Sequence, residues 1–223
     1  MVYVTGDTHG MYYDLKERFK NIELTCDDTI IICGDFGFVW NETEKKEFLK
    51  KLSQEVYTIA FVDGNHEDFS MLNEYPVTEW NGGKVHKVAA NIYHLMRGQL
   101  FSIEGKTYFT MGGAYSLDKY RRVEGIDWWK EELPNSDDYK TADKTLTKCG
   151  NIVDYVITHT LPQSSIHYIG RVPDIHDLEL TGYLDWLYDK LEFKKWFAGH
   201  FHVNKQARGN VRVLYDDVVR LDD

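Results

Sequence analysis

The feature that most constrains this chain is a junction that recurs along it. A strand-sized apolar run breaks off into glycine or aspartate and then into acidic, amide or imidazole side chains. It occurs as MVYVT before GDTHG, as TIIIC before the GD that ends at Asp35, and as YTIAFV before DGNHE. Between these runs lie stretches with helical spacing, from about Met11 to Lys20 and through ETEKKEFLKKLSQ, where Phe48, Leu49 and Leu52 fall on one side. Nearly all-apolar strands alternating with helices predict a parallel sheet covered by helices, because strands buried on both faces read as continuous hydrophobic runs. The polar clusters then gather at the carboxyl edge of that sheet, where open α/β folds bind ligands.

The second half has a different texture. NIYHLMRG, QLFSIEG and KTYFTMGGA are short, aromatic-rich and separated by glycines, which predicts an antiparallel meander. Residues 115–150 read as an aromatic and charged insertion with a helix near Tyr139 to Lys148. Two further strands, in DYVITHT and KKWFAGHFH, again end in histidines, with an amphipathic helix DLELTGYLDWLYDKL between them and a late strand in NVRVLY. No repeat, low-complexity tract or linker divides the 223 residues. The expectation is one domain, residues 1–223, containing two sheets.

Composition narrows the functional classes. The net charge of −10 opposes non-specific binding along nucleic acid, although bound cations would reverse the field locally. No apolar run approaches the roughly 18 residues of a membrane span. No signal peptide is visible, and Asp7 stands so near the start that little could be removed, so a cytoplasmic location is expected. Cys26, Cys33 and Cys149 lack the close spacing of a zinc or redox motif and read as structural.

Strand ends supply Asp7, His9, Asp35, Asn65, His66, His159, His200 and His202. Singly, each reads as a turn former, a helix cap or a packed histidine. Together, carboxylate, amide and imidazole from five strand ends have the ligand count of two divalent transition metals. In this order GDTHG, GDFGF, GNHE, THT and GHFH resemble the motifs of the calcineurin-like metallophosphoesterases, over nearly the whole chain. The resemblance implies an α/β fold, a two-sheet β-sandwich flanked by helices. It implies that Asp7, His9, Asp35 and His202 hold one metal and that Asp35, Asn65, His159 and His200 hold the other, with Asp35 bridging. Manganese or iron is expected, and zinc is compatible with the donors. A hydroxide shared by the metals would attack phosphorus in line, and His66 would meet the leaving oxygen. Gly6, Gly34, Gly64 and Gly199 would permit the tight turns.

One departure stands out. Many relatives carry G-D-x-x-D, whose second aspartate orients the leaving-group histidine; here that position is Phe38. Glu67 and Asp68 are the available substitutes. The missing G-D-x-x-D-R-G signature argues against a dedicated protein phosphatase and tilts the expectation towards phosphodiesters. A phosphomonoesterase acting on nucleotides or phosphoproteins is the alternative, and a non-catalytic scaffold the remote one. The substrate is thus a phosphorylated small molecule, nucleotide or phosphoprotein. Asn65, Arg121 and Arg122 are candidate substrate contacts. Lys119, Arg121 and Arg122 fit either a phosphate clamp or a solvated basic face. Trp128 and Trp129 read as packing anchors rather than base-stacking platforms, whereas Trp40, close after Asp35, is better placed to line a cleft. The segment after His159, with His167, Arg171 and His176, reads as an ordered loop over the site. His86 and His94 read as surface or packing residues.

Overall fold

The alternation of side chains in the core strands decides the layering. In the strands of the first half, Val4, Ile31 and Ala60 point into one apolar cluster while Tyr3, Ile30, Ile32, Ile59 and Phe61 point into another. A computed structural model describes residues 1–221. The first half runs β1 (Val2–Thr5), α1 (Tyr12–Arg18), β2 (Thr29–Ile32), α2 (Thr43–Leu52), β3 (Thr58–Phe61), α3 (Phe69–Leu72), β4 (Val77–Trp80), β5 (Gly83–Lys87) and β6 (Ile92–Leu95). The second runs β7 (Gln99–Ile103), β8 (Lys106–Met111), α4 (Ser136–Lys148), β9 (Tyr155–Thr158), α5 (Gln163–Ile166), α6 (Leu178–Lys190), β10 (Lys195–Ala198), β11 (Lys205–Gln206), β12 (Val211–Val213) and β13 (Val218–Leu221).

These strands build two mixed sheets, in the orders β13-β1-β2-β3-β6-β5-β4 and β11-β12-β10-β9-β8-β7. The central pairings are parallel, β1-β2-β3-β6 in one sheet and β8-β9-β10-β12 in the other. Tyr108, Tyr155, Ile157 and Phe197 of the second sheet meet Val4, Ile31 and Ala60 of the first, so the sheets share a core between them. Leu15 of α1 and Leu52 of α2 cover the outer face of the first sheet. Ala142 and Leu146 of α4, with Leu180, Leu184 and Leu187 of α6, cover the second sheet on Phe109, Val156 and Trp196. The result is a single domain, a two-sheet sandwich flanked by helices. No helix among the described residues is long and apolar enough to cross a membrane.

The structure corrects the sequence reading in several places. The expected meander is divided: β6 joins β3 and β5 in the first sheet, and only β7 and β8 form a hairpin in the second. Arg97, between them, is tied to Asp63 at the end of β3 and to the Glu131 carbonyl of the insertion, so the chain is pinned where it changes sheets. The β4–β5 hairpin was not anticipated, although its turn has the usual chemistry, with Asn81 and Gly82 at φ 50° and 88°. Helix α4 starts at Ser136 rather than near Tyr139, because Asn135 and Asp138 form a capping box. The segment after His159 is partly helical: it contains α5, and Ser165, Ile166 and Ile169 are buried.

Of the two readings of His86 and His94, surface or packing, the structure shows packing: both are buried. Their rings stack at 5.2 Å, and His94 Nε2 lies 3.0 Å from Asp63 Oδ1. Asp63 therefore sits in the core between an imidazole and a guanidinium. Burial alone would raise its pKa, but Arg97 and His94 outweigh burial and hold the carboxyl well below its ordinary 3.8.

Arg97→Met would leave that carboxylate buried without its cation. The expected loss of unfolding free energy is about 3–5 kcal/mol, read from urea midpoints. Because the folded-state pKa is depressed, the stabilisation is complete above the ordinary carboxylate value and is lost as pH falls towards the depressed one. The gap between wild type and variant should therefore narrow in acid; a gap independent of pH would contradict this account of Asp63.

Candidate metal centre

Each candidate donor is delivered by the turn that follows a strand. Asp7 and His9 follow β1, Asp35 follows β2, Asn65 and His66 follow β3, His159 follows β9, and His200 and His202 follow β10. Since β1, β2 and β3 are neighbours in one sheet and β9 and β10 in the other, the five turns face one another across the sandwich edge. The backbone is bent hard to achieve this. His9, Asp35, His200 and His202 all lie in the left-handed region, at φ 47°, 49°, 69° and 51°. Sparsely populated conformations of this kind cost about 1–3 kcal/mol each and cluster at functional sites.

Ligand atoms of Asp7, His9, Asp35 and His202 all lie within 4.8 Å of one another. His9 Nε2 and His202 Nε2 face each other at 3.0 Å, and His202 Nε2 is 3.2 Å from Asp7 Oδ2. A second group shares Asp35. His159 Nε2 lies 3.1 Å from Asn65 Oδ1 and 3.4 Å from Asp35 Oδ1, and the His200 ring packs edge-on against His159 at 5.0 Å. Oxygen and imidazole atoms crowded this closely fit divalent cations, which would replace mutual repulsion with coordination. The His159 Nδ1–H donates to the Cys33 carbonyl at 2.7 Å, which leaves Nε2 as the atom facing the cluster.

The electrostatics agree with that geometry. Burial would raise the Asp35 carboxyl, but His159, His66 and His9 outweigh it and bring it down to about 2. Burial lowers His9, His66 and His200, the last to about 4 beside His159, so these rings are neutral and available as ligands or donors. His202 is raised by its contact with Asp7. His159 is raised as well, because Asp35 and Asp7 outweigh its burial.

Supporting residues that sequence reasoning missed hold the turns in place. The Arg18 guanidinium donates to the carbonyls of Asp7, Gly6 and Tyr215 at 2.7, 3.2 and 2.7 Å. Lys45 Nζ donates to the His9 carbonyl at 2.7 Å. Asn65 Nδ2 donates to Ser116 Oγ at 3.2 Å, fixing which end of the amide faces His159. None of these carries a local sequence signal, since each acts across the fold. For two of the predicted glycines the requirement is space rather than backbone freedom. A Cβ on Gly64 would lie 2.0 Å from Asp35 Oδ1, and one on Gly199 would lie 2.1 Å from Asp7 Oδ1.

His66 stands at the edge of the cluster, its ring 5.2 Å from that of His9 and its backbone N–H donating to Asp35 Oδ1 at 2.8 Å. Neither acidic neighbour takes the place vacated at Phe38. Glu67 accepts from the N–H groups of Phe36 and Gly37, at 2.7 and 3.2 Å, and Asp68 caps α3. Phe38 itself is fully buried in the core. The ring instead meets a cation: Arg122 Nη2 lies 3.2 Å from the His66 ring nitrogens. Asp118 holds that guanidinium at 2.9 and 3.0 Å, and it donates to the Asp127 carbonyl at 3.1 Å. Arg121 lies exposed, its guanidinium 5.1 Å from the Tyr120 ring. Lys119 lies 3.7 Å over Trp128, and Trp129 is buried, donating to Ser70 Oγ at 2.7 Å. Trp40 does line a cavity beside His9 and His66.

The profile of the calcineurin-like phosphoesterases matches residues 1–204. The chain belongs to that family. The lariat debranching enzyme of Schizosaccharomyces pombe is 24% identical over 220 residues, 91% of this chain and 40% of its own length. The chain thus spans about two fifths of the curated relative it matches. Among solved structures, a sulfate thiohydrolase from Thermus thermophilus gives a TM-score of 0.41 at 13% identity, covering 94% of this chain and 37% of its own. A protein serine/threonine phosphatase from Saccharomyces cerevisiae gives 0.39 at 16% identity, covering 96% and 66%.

Gly199→Ala should push the Asp7 carboxylate out of line without replacing any donor. Loss of support around a metal ligand typically costs about 10–100-fold in affinity, and a loss of that order is expected for manganese binding by calorimetry. Unchanged affinity in a folded variant would mean that Asp7 is not a ligand.

Proposed function

We propose that this chain is a dinuclear metal-dependent phosphoester hydrolase whose favoured substrates are phosphodiesters. The observation that carries this reading is the convergence of Asp7, His9, Asp35, Asn65, His159, His200 and His202 from five strand ends, with four of these donors on left-handed backbone. Asp7, His9, Asp35 and His202 would hold one cation, and Asp35, Asn65, His159 and His200 the other. Manganese or iron suits these nitrogen and oxygen donors, and zinc is also compatible. Divalent cations bound here would supply positive charge to the phosphoryl oxygens and bring the pKa of water down to about 7.

The chain's own residues direct the reaction around that charge. His66 contacts the leaving oxygen, and its backbone bond to Asp35 fixes its distance from the reacting centre. Arg122, braced by Asp118, holds a non-reacting phosphate oxygen beside His66, whereas the Asn65 amide, engaged with His159 and Ser116, is assigned to the metal side. Arg121, turned onto Tyr120, has no such position, so the phosphate clamp is assigned to one arginine of the pair. The diester preference is supported by Phe38, which removes the acidic residue of the protein-phosphatase signature, and by similarity to a debranching enzyme.

Elemental analysis of reconstituted protein is expected to give two metals per chain, and Asp35→Ala to lose both. At most one metal in the wild type would rule out the paired-cation reading. His66→Ala should retain the metals and slow hydrolysis by roughly 10²–10⁴-fold, the range of a general acid. The loss should shrink for good leaving groups such as nitrophenolate. An empty site in His66→Ala would make His66 a ligand instead.

A further inference from the structure

A cavity of about 190 Å³ opens beside the donor cluster, lined by His9, Gly37, Trp40, Glu42, Lys45 and His66. His9 and His66 belong to the candidate centre as well, so an occupant of this cavity lies directly against it. We propose that the cavity is the leaving-group subsite and that it receives a nucleobase, with Trp40 as its stacking platform. The inference rests on the reading of His66 as the residue that meets the leaving oxygen, and it narrows the substrate to a nucleotide ester.

Three observations select a base over other groups. The first is that Trp40 is half-buried and already fixed. Trp129 meets it edge-on at 5.5 Å and 74°, and Trp129 is itself buried and hydrogen-bonded to Ser70. A ring held this way loses little freedom when a ligand stacks on it. The second is the pairing of charges at the rim. Lys45 gives one N–H to the His9 carbonyl and keeps others for a ligand, while Glu42 is an exposed acceptor. A flat π-face bordered by both a donor and an acceptor matches a nucleobase, which carries both along its edge. A simple alkyl group would leave both charges unused, and a second phosphate would face Glu42. The third is size. At roughly 30 Å³ per liquid water the space equals about six waters, the scale of one ring system. Gly10, the last residue of GDTHG, keeps this wall of the cavity close-packed: it lies at φ 66°, and a Cβ there would be 2.2 Å from the Gly37 carbonyl oxygen.

The test uses manganese-reconstituted protein and paired esters: adenosine 5′-monophosphate against glycerol phosphate, and the dinucleotide of adenosine against diglycerol phosphate. The expected wild-type result is a kcat/KM ratio of about tenfold or more in favour of the nucleotide ester, the scale of one base stacked on an aromatic ring. Trp40→Ala should bring the ratio close to one, and Trp40→Phe should retain most of it. A ratio that survives in Trp40→Ala overturns the subsite. Calorimetry on the metal-free proteins gives a readout without turnover. Adenosine 5′-monophosphate should bind tighter than inorganic phosphate in the wild type but not in Trp40→Ala, with the manganese content of the two reconstituted proteins equal. If no ester is turned over, the hydrolase reading fails and the calorimetric comparison still decides the subsite: an equal advantage for the nucleotide in both proteins overturns it.

Discussion

The structure around the candidate centre depends on the burial of one carboxylate, that of Asp35. Taking such a group out of water costs several kcal/mol unless charge and hydrogen bonds meet it there. The compensation comes from separate parts of the chain. The His66 backbone donates to Oδ1 and the rings of His9 and His159 lie within 4 Å of the carboxylate oxygens, while the Asp35 carbonyl, accepting from the N–H groups of Thr8 and His9, ties its turn to that of β1. Three turns of the first sheet and one of the second are thereby committed to a single point. Asp7 repeats the device, accepting the His200 N–H at 2.9 Å from the other sheet. The two sheets are joined by apolar packing through their length and by buried carboxylates at their carboxyl edge.

That edge is also where the backbone is least relaxed. Four donors in left-handed conformations would relax if the chain around them were free to move. They are held because Ile31, Ala60, Ile157 and Phe197, just upstream of the turns, are locked in the shared core. Arg18 and Lys45 then satisfy the carbonyls that the sharp turns leave outside any ladder. Core packing thus maintains strain at the site, which places the donors before any cation arrives.

How much of this could be read from sequence follows from the range of each interaction. The strand-end donors were legible because apolar run, break and polar residue are adjacent in the chain. Helices α1, α2, α4 and α6 were legible from spacing, although the start of α4 waited on the cap at Asn135. The β4–β5 hairpin does carry a local signal, Asn81-Gly82 between alternating residues. Sheet membership was a different matter. Nothing local to Met96–Gly98 says that the chain leaves one sheet there for the other; Arg97 does so by pairing with Asp63, 34 residues earlier. Packing was one of the two readings open for His86 and His94, but the contact of His94 with Asp63, 31 residues earlier, carries no local signal either.

His66 illustrates the limit most clearly. With Phe38 in place of an aspartate, the neighbouring acids were the natural substitutes, yet each is already engaged with backbone N–H groups, Glu67 with those of Phe36 and Gly37 and Asp68 with that of Met71. The partner comes instead from the insertion, 56 residues away, and carries the opposite charge. A ring facing a guanidinium accepts a hydrogen bond where one facing a carboxylate would donate, so its environment cannot be inferred from the motif that contains it. The donor cluster comes from strand ends, whereas the groups around it, Arg122, Ser116 and Trp40, come from the connecting segments. Loops tolerate change far better than buried strands do. A fold divided in this way can keep one arrangement of ligands while its surroundings, and with them the ester it selects, are rebuilt.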